Sequence, residues 1–148
     1  MDICTHVYSS TILAGTLLAV THSPYMAISS FLAGIFIDID HLFDFMFFAR
    51  DRISLRNLIT WCDDGKWERI TLVFHSYELF LILWIFAYYS LDNIIIGILF
   101  GMGVHLIFDQ IGNRYINKKF RLTLFFYFLT YRFFVKFHKS RLRFDRSW

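Results

Sequence analysis

Lysine and arginine are absent from two long stretches of this chain, residues 1–49 and 70–113. No other feature constrains the fold as much, because a Lys or Arg at mid-bilayer costs roughly 2.5–3.5 kcal/mol and membrane cores select for such blocks. Five basic residues (Arg50, Arg52, Arg56, Lys66 and Arg69) separate the blocks, and the remaining ten lie between Arg114 and Arg146. Composition agrees: 57% of the 148 residues are hydrophobic, with 19 Phe against 1 Pro. That exceeds the roughly 45–50% apolar content of soluble domains and excludes a disordered chain. Cys4 and Cys62 make neither a C-x-x-C pair nor a disulfide framework, which removes cysteine zinc fingers and stapled secreted domains. The reading is an all-α integral membrane protein, a single domain over 1–148 with a core bundle over 1–112 and a basic tail over 113–148.

The apolar blocks divide into four segments, giving a polytopic bundle of about four transmembrane helices. The first runs from about Cys4 to Thr21. Ser23 then caps a second with Pro24 at its first position, running to about Asp38 with continuation to Phe48 open. Before Asp38 it is shorter than the roughly 20 residues needed to span, so a tilted span and a re-entrant hairpin both remain open. The third runs from near Ile70 to Ser90, and the fourth from Asn93 to Ile111 with Gly112-Asn113 as an expected left-handed stop. The turns at 21–25 and 90–93 carry no Lys or Arg, so the N-terminus and the 49–69 loop are expected on the cytoplasmic face of a bacterial or archaeal inner membrane. Asp2 in place of a basic n-region argues against a signal peptide.

The apolar run Leu122–Tyr131 is about half a span. Lys118, Arg121, Arg132, Lys136, Lys139 and Arg143 fall near one helical face, opposite Phe, Leu and Tyr. The expectation is an amphipathic C-terminal helix lying in the interface against anionic lipid headgroups, with a packed helix bearing a solvated basic face as the alternative. Aromatics opposite the basic stripe, rather than among it, speak against nucleic acid as a partner.

Ionisable residues within apolar segments each require a reason. His6 opens the first segment, and Asp38, Asp40, His41 and Asp44 close the second. His75 and Glu78 are expected in the first turns of the third, and His105 and Asp109 in the last turns of the fourth. Four helices thus bring imidazoles and carboxylates to a similar depth on one side. His105 and Asp109 are four apart, and His75 and Glu78 three apart, so each pair shares a helix face. Gly97, Gly101, His105 and Asp109 form one i+4 row, and Ser30, Gly34 and Asp38 another, the small residues allowing close helix approach. Clustered carboxylates repel one another unless a cation joins them. Singly, each group has an ordinary reading: a capped interfacial His6, an Asp109–Arg114 ion pair, Glu78 pairing with Arg69 or capping an amide, Asp44 facing the loop. His22 and His138 receive no role.

The donors are His and carboxylate with no thiolate, which suits Zn, with Mn or Fe also open. His6, Asp38, Asp40, His75, His105 and Asp109 are the expected metal ligands. That is more than one tetrahedral ion needs, so two ions, or one ion beside a catalytic carboxylate, are expected.

At these residues the sequence resembles the bacterial LexA-regulated, membrane-bound metal-dependent hydrolases. The matching elements are His6, then Asp38-Ile39-Asp40-His41, then His75-Ser76, then Gly101 with His105 and Asp109, covering about three-quarters of the chain in order. Ile37 stands where the family has Pro, Phe74 replaces a Thr, and Ile70-Thr71 occupy the stretch of a His-Arg pair. The family pattern is similar to the helical zinc phospholipase C and nuclease fold, which implies phosphodiester chemistry by analogy. The expected function is a membrane-embedded metal-dependent hydrolase acting on a lipid or other amphiphilic phosphoester at the cytoplasmic interface. Glu78 is the expected general base and His41 the leaving-group acid or an orienting partner. The alternatives are a non-enzymatic membrane protein that binds, senses or transports a cation or protons, and a small structural partner whose polar groups tie helices together.

Overall fold

The computed structural model describes residues 3–49, 54–63, 67–113 and 123–142. Among these residues eight α-helices follow in chain order: α1 (Ile3–Thr21), α2 (Pro24–Phe36), α3 (Ile39–Phe48), α4 (Leu55–Asp63), α5 (Tyr77–Ser90), α6 (Asn93–Ile111), α7 (Leu129–Phe134) and α8 (Lys139–Leu142). A 3-10 turn at Leu124–Tyr127 precedes α7. There is no strand among the described residues, only an isolated bridge between Arg69 and His138. The regular structure of the described residues is all-helical.

Local chemistry sets most of the helix ends. The Ser23 hydroxyl accepts from the Met26 amide at 3.3 Å, and Pro24 takes the first helical position of α2. The Asp92 carboxylate accepts from the Ile94 and Ile95 amides at 2.7 and 3.2 Å and starts α6. Leu91 ends α5 in the left-handed region at φ 52°, so a two-residue turn folds α6 back along α5.

The bundle centres on α2 and α6, with α1 against both and α5 on the other flank of α6. Small residues permit this. A Cβ on Gly101 would collide with the Ser30 carbonyl oxygen, and one on Gly97 with the Met26 carbonyl and the Ser29 hydroxyl. A Cβ on Gly34 would strike the Ser10 hydroxyl of α1. The two small-residue rows therefore face each other and bring the helix backbones close.

Polarity is distributed inside out. His6, Ser10, Ser29, Ser30, His105 and Asp109 are buried between helices. Tyr8, Ile12 and Val20 of α1, Phe36 of α2, and Leu81, Ile82, Trp84, Ile85 and Phe86 of α5 are exposed. One helix among the described residues, α6, is long and apolar enough to cross a membrane, and 33% of it is buried; α5 is apolar but has 14 residues. A conventional apolar core covers the end where α6 finishes. It joins Phe45 of α3, Trp61 of α4, Ile70, Leu72, Phe126 and Tyr127.

Several expected boundaries move. The second apolar segment breaks at Ile37-Asp38 into α2 and α3. The third does not start near Ile70: α5 begins at Tyr77, after Ser76 accepts from the Leu79 amide, and residues 70–76 form an irregular connection. His75 therefore precedes α5 and shares no helix face with Glu78. Gly112 is right-handed at φ −60° and ψ −49°, so the expected left-handed stop is absent there.

The single amphipathic C-terminal helix is also corrected. Residues 123–142 fold as a 3-10 turn and two short helices, and Arg132, expected on the basic outer face, is fully buried. Lys136 and Phe137 both take left-handed φ, 55° and 59°, which breaks the helix between α7 and α8. Lys118, Arg121 and Arg143 lie outside the described residues, as do Arg50, Arg52, Lys66 and Arg114.

Candidate metal centre

Three helices and two connections meet at the end of α6. His6 comes from the first turns of α1, Asp38 from the α2–α3 break, His41 from α3, His75 from the 70–76 connection, and His105 and Asp109 from the last turns of α6. His6, His75, His105 and Asp109 are buried, whereas the Asp38 and His41 side chains keep 32% and 27% of their surface open. The centre is therefore reached from the Asp38–His41 side.

Hydrogen bonds fix the imidazoles. The Gly34 carbonyl can only accept, so its 2.8 Å contact places the His105 proton on Nδ1. Nδ1 of His75 lies 3.1 Å from Oδ2 of Asp40, which also accepts from the Phe74 amide at 3.0 Å. With both Nδ1 atoms engaged, the two Nε2 atoms turn toward each other across 3.1 Å. Oδ1 of Asp38 lies 3.4 Å from Nε2 of His75 and 3.3 Å from Nε2 of His105. Oδ2 of Asp109 lies 3.4 and 4.0 Å from the same two nitrogens.

Four electron-pair donors thus converge with no hydrogen between neutral rings. Such an arrangement is repulsive unless a cation, either protons or a metal ion, occupies its middle. Donors held about 2.0–2.1 Å from a tetrahedral ion stand about 3.3 Å from one another; here four of the contacts run from 3.1 to 3.4 Å, and that between His105 and Asp109 is 4.0 Å. The backing of each ring by a carboxylate or a carbonyl is what metal-binding histidines use to fix tautomer and direction.

His6 and His41 flank this quartet. The His6 ring stacks on His105 at 3.9 Å between centroids, and its Nε2 is 3.2 Å from Oδ1 of Asp109. His41 meets His75 edge-on at 5.1 Å, with Nε2 3.8 Å from Oδ1 of Asp38. Nδ1 of His6 and Nδ1 of His41 are buried without a hydrogen-bond partner among the described residues. Two groups, His6 with His105 and Asp109, and Asp38 with His41 and His75, each have donor atoms within 4.8 Å of one another. These His and Asp groups could hold a metal ion.

Two of the expected site residues are engaged by other groups. Asp40, expected as a ligand, stands behind His75 as the group that orients it. Glu78, expected as the general base, is engaged at the start of α7: its oxygens accept from the Leu129 and Thr130 amides at 2.9 Å each and from the Thr130 hydroxyl at 2.7 Å. It is a helix cap contributed from α5, which accounts for this acid without any chemistry.

Asp44 and Arg132 are the residues whose part sequence reasoning missed. Asp44 accepts from the Thr71 hydroxyl and from the Thr71 and Leu72 amides, the amides at 2.6 and 3.2 Å. Arg132 donates to the carbonyls of Thr71, Leu72 and His75, and its guanidinium carbon lies 5.4 Å from the Phe126 ring centre. Burial pulls its pKa down to about 10, opposed by the charges of Asp40, Glu78 and Asp44, so it stays cationic at neutral pH. The available signal was a lone cation set among Leu129, Tyr131, Phe133 and Phe134.

The chain matches no known family model, no curated protein and no solved structure.

Proposed function

We propose that this protein is a membrane-embedded metal-dependent hydrolase whose centre opens at the cytoplasmic interface toward a lipid or other amphiphilic phosphoester. One observation carries the reading: two buried Nε2 atoms 3.1 Å apart, both Nδ1 atoms engaged, with Asp38 and Asp109 beside them. Zinc suits a donor set of imidazole and carboxylate at tetrahedral spacing, with Mn or Fe as alternatives. His75, His105, Asp38 and Asp109 are the ligands in this account, and His6 on the Asp109 flank offers a donor for a second ion.

An ion held by His75, His105, Asp38 and Asp109 would serve as a Lewis acid toward a phosphoryl oxygen and would let water ionise near neutral pH. Asp38 and His41 line the open side, where a substrate approaches. His41, on this open side with its Nε2 3.8 Å from Oδ1 of Asp38, is suited to hold a proton for the leaving oxygen. Asp40 keeps the His75 ring directed inward. The likeness to the LexA-regulated membrane hydrolases supports the same chemistry, and the exposed apolar faces of α1, α2 and α5 support four membrane-embedded segments with the centre near headgroup depth.

The test is hydrolysis of a phospholipid panel by detergent-solubilised protein, before and after chelation and zinc replacement. Turnover is expected in the zinc-loaded wild type and none in His105→Ala or Asp38→Ala. A zinc-loaded wild type that hydrolyses no phosphoester lipid rejects the enzymatic reading. The capping role of Glu78 favours a second reading, a metal-binding membrane protein without catalysis, because it removes the carboxylate best suited as a general base. Metal uptake into proteoliposomes without hydrolysis would support that one.

A further inference from the structure

His75 is the donor that no helix carries. The connection before it, residues 70–76, has few hydrogen bonds of its own: His75 N–H to the Leu72 carbonyl at 3.1 Å, and the Ser76 hydroxyl to the Val73 carbonyl at 2.7 Å. Several of its other backbone groups are held from outside, beginning with the Ile70 amide on the Phe137 carbonyl at 3.2 Å. Asp44 takes the amides of Thr71 and Leu72, and Asp40 that of Phe74. On the opposite edge Arg132 alone takes three carbonyls, those of Thr71, Leu72 and His75, the last two at 2.9 and 3.1 Å. Leu72 sits between these grips in the left-handed region at φ 44°, a conformation a leucine keeps only when its surroundings impose it. Arg132 is wholly buried, some sixty residues along the chain from what it holds.

We propose that Arg132 is a positioning residue for the metal centre, its guanidinium fork clamping the 71–75 backbone so that Nε2 of His75 meets the other donors. The inference rests on the metal-binding reading above. A fork that bridges carbonyls of residues 72 and 75 spans one turn of irregular chain, which a single ammonium cannot reproduce. Loss of the fork frees Leu72 to leave its strained state, and His75 then swings on its own backbone. Outer partners of metal-binding histidines typically change affinity 10- to 100-fold, so a loss in that range is expected.

The experiment is a titration of full-length, detergent-solubilised protein with Co²⁺, followed by the visible absorption whose intensity reports four-coordinate geometry. Arg132→Gln is compared with wild type, and both are repeated in a His75→Ala background. The expected result is a 10- to 100-fold weaker Co²⁺ affinity and a fainter spectrum for Arg132→Gln, an intermediate effect for Arg132→Lys, and no further loss from Arg132→Gln once His75 is gone. An unchanged affinity, or an equal loss in the His75→Ala background, overturns the inference. If Arg132→Gln does not fold, Arg132→Lys takes its place in the cycle, and failure of both to fold makes Arg132 a fold residue and also overturns it. A wild type that binds no Co²⁺ rejects the metal reading itself, a separate outcome.

Discussion

The His105 ring owes its direction to a backbone atom, the Gly34 carbonyl, and the His75 ring to a carboxylate, that of Asp40. A side chain without such a backing group has no reason to hold its lone pair toward a neighbour's. Asp40→Asn therefore is expected to weaken metal binding about 10-fold or more while leaving the helices intact, measured by competition with a chelating dye. Glu78 provides the contrast. Glu78→Gln keeps one of the two accepting oxygens, sets an NH2 against a backbone N–H in place of the other, and loses the charge at the start of α7, so a stability loss of about 1 kcal/mol is expected, with metal affinity unchanged. A Glu78→Gln protein of full stability that loses metal would contradict this. Residue identities at the centre were legible from the sequence because His and Asp are rare in apolar segments. Their division into donors and supports was not, because it depends on which atom faces which. Glu78 and Leu129 lie 51 positions apart, so no local pattern could show the cap.

At the scale of elements, contact between α2 and α6 sets the distance between Asp38 and the pair His105 and Asp109. Gly101 packs on the Ser30 carbonyl and Gly97 on that of Met26, and backbone atoms cannot step aside as side chains do. Gly101→Ala is expected to destabilise the bundle by about 1–3 kcal/mol and to weaken metal binding together with it. Gly15, where an added Cβ meets nothing within 4 Å, serves as the control: Gly15→Ala is expected to leave metal affinity unchanged. Equal effects at the two glycines in thermal melts would contradict the packing account. Small-residue rows and the cap at Ser23 were readable in advance because their partners lie within one turn or one i+4 row; the Asp92 cap on α6 was not read, although Asp92 stands directly before the fourth apolar segment. The start of α5 was not. Apolar periodicity runs through Ile70–Phe74, yet the backbone there is bound by Asp40, Asp44 and Arg132, about 27 to 61 positions away. The tail failed for a related reason: its basic residues lie on one helical stripe, but Arg132 turns inward to carbonyls that helix geometry leaves free.

For the molecule as a whole, the contrast between a polar interior and apolar flanks is the property that any environment must satisfy. Trp84 on α5 is 52% exposed, whereas Trp61 and Trp67 are buried at 4% and 5%. In bilayers containing lipid brominated along the acyl chains, fluorescence quenching is expected, and most of it should disappear in Trp84→Phe. Quenching that survives this substitution unchanged would contradict contact between α5 and lipid. The charge blocks alone prompt the membrane reading, since the exclusion of Lys and Arg is a property of the whole chain rather than of any contact; among the described residues one helix, α6, is long and apolar enough to cross a membrane. Metal content per chain, measured by element-resolved mass spectrometry on purified detergent-solubilised protein, tests the convergence of imidazoles and carboxylates most directly. At least one zinc, manganese or iron ion per chain is expected in the wild type, falling to near zero in His75→Ala/His105→Ala. A stably folded wild type that carries none of these metals, and takes up none when offered, would contradict the account.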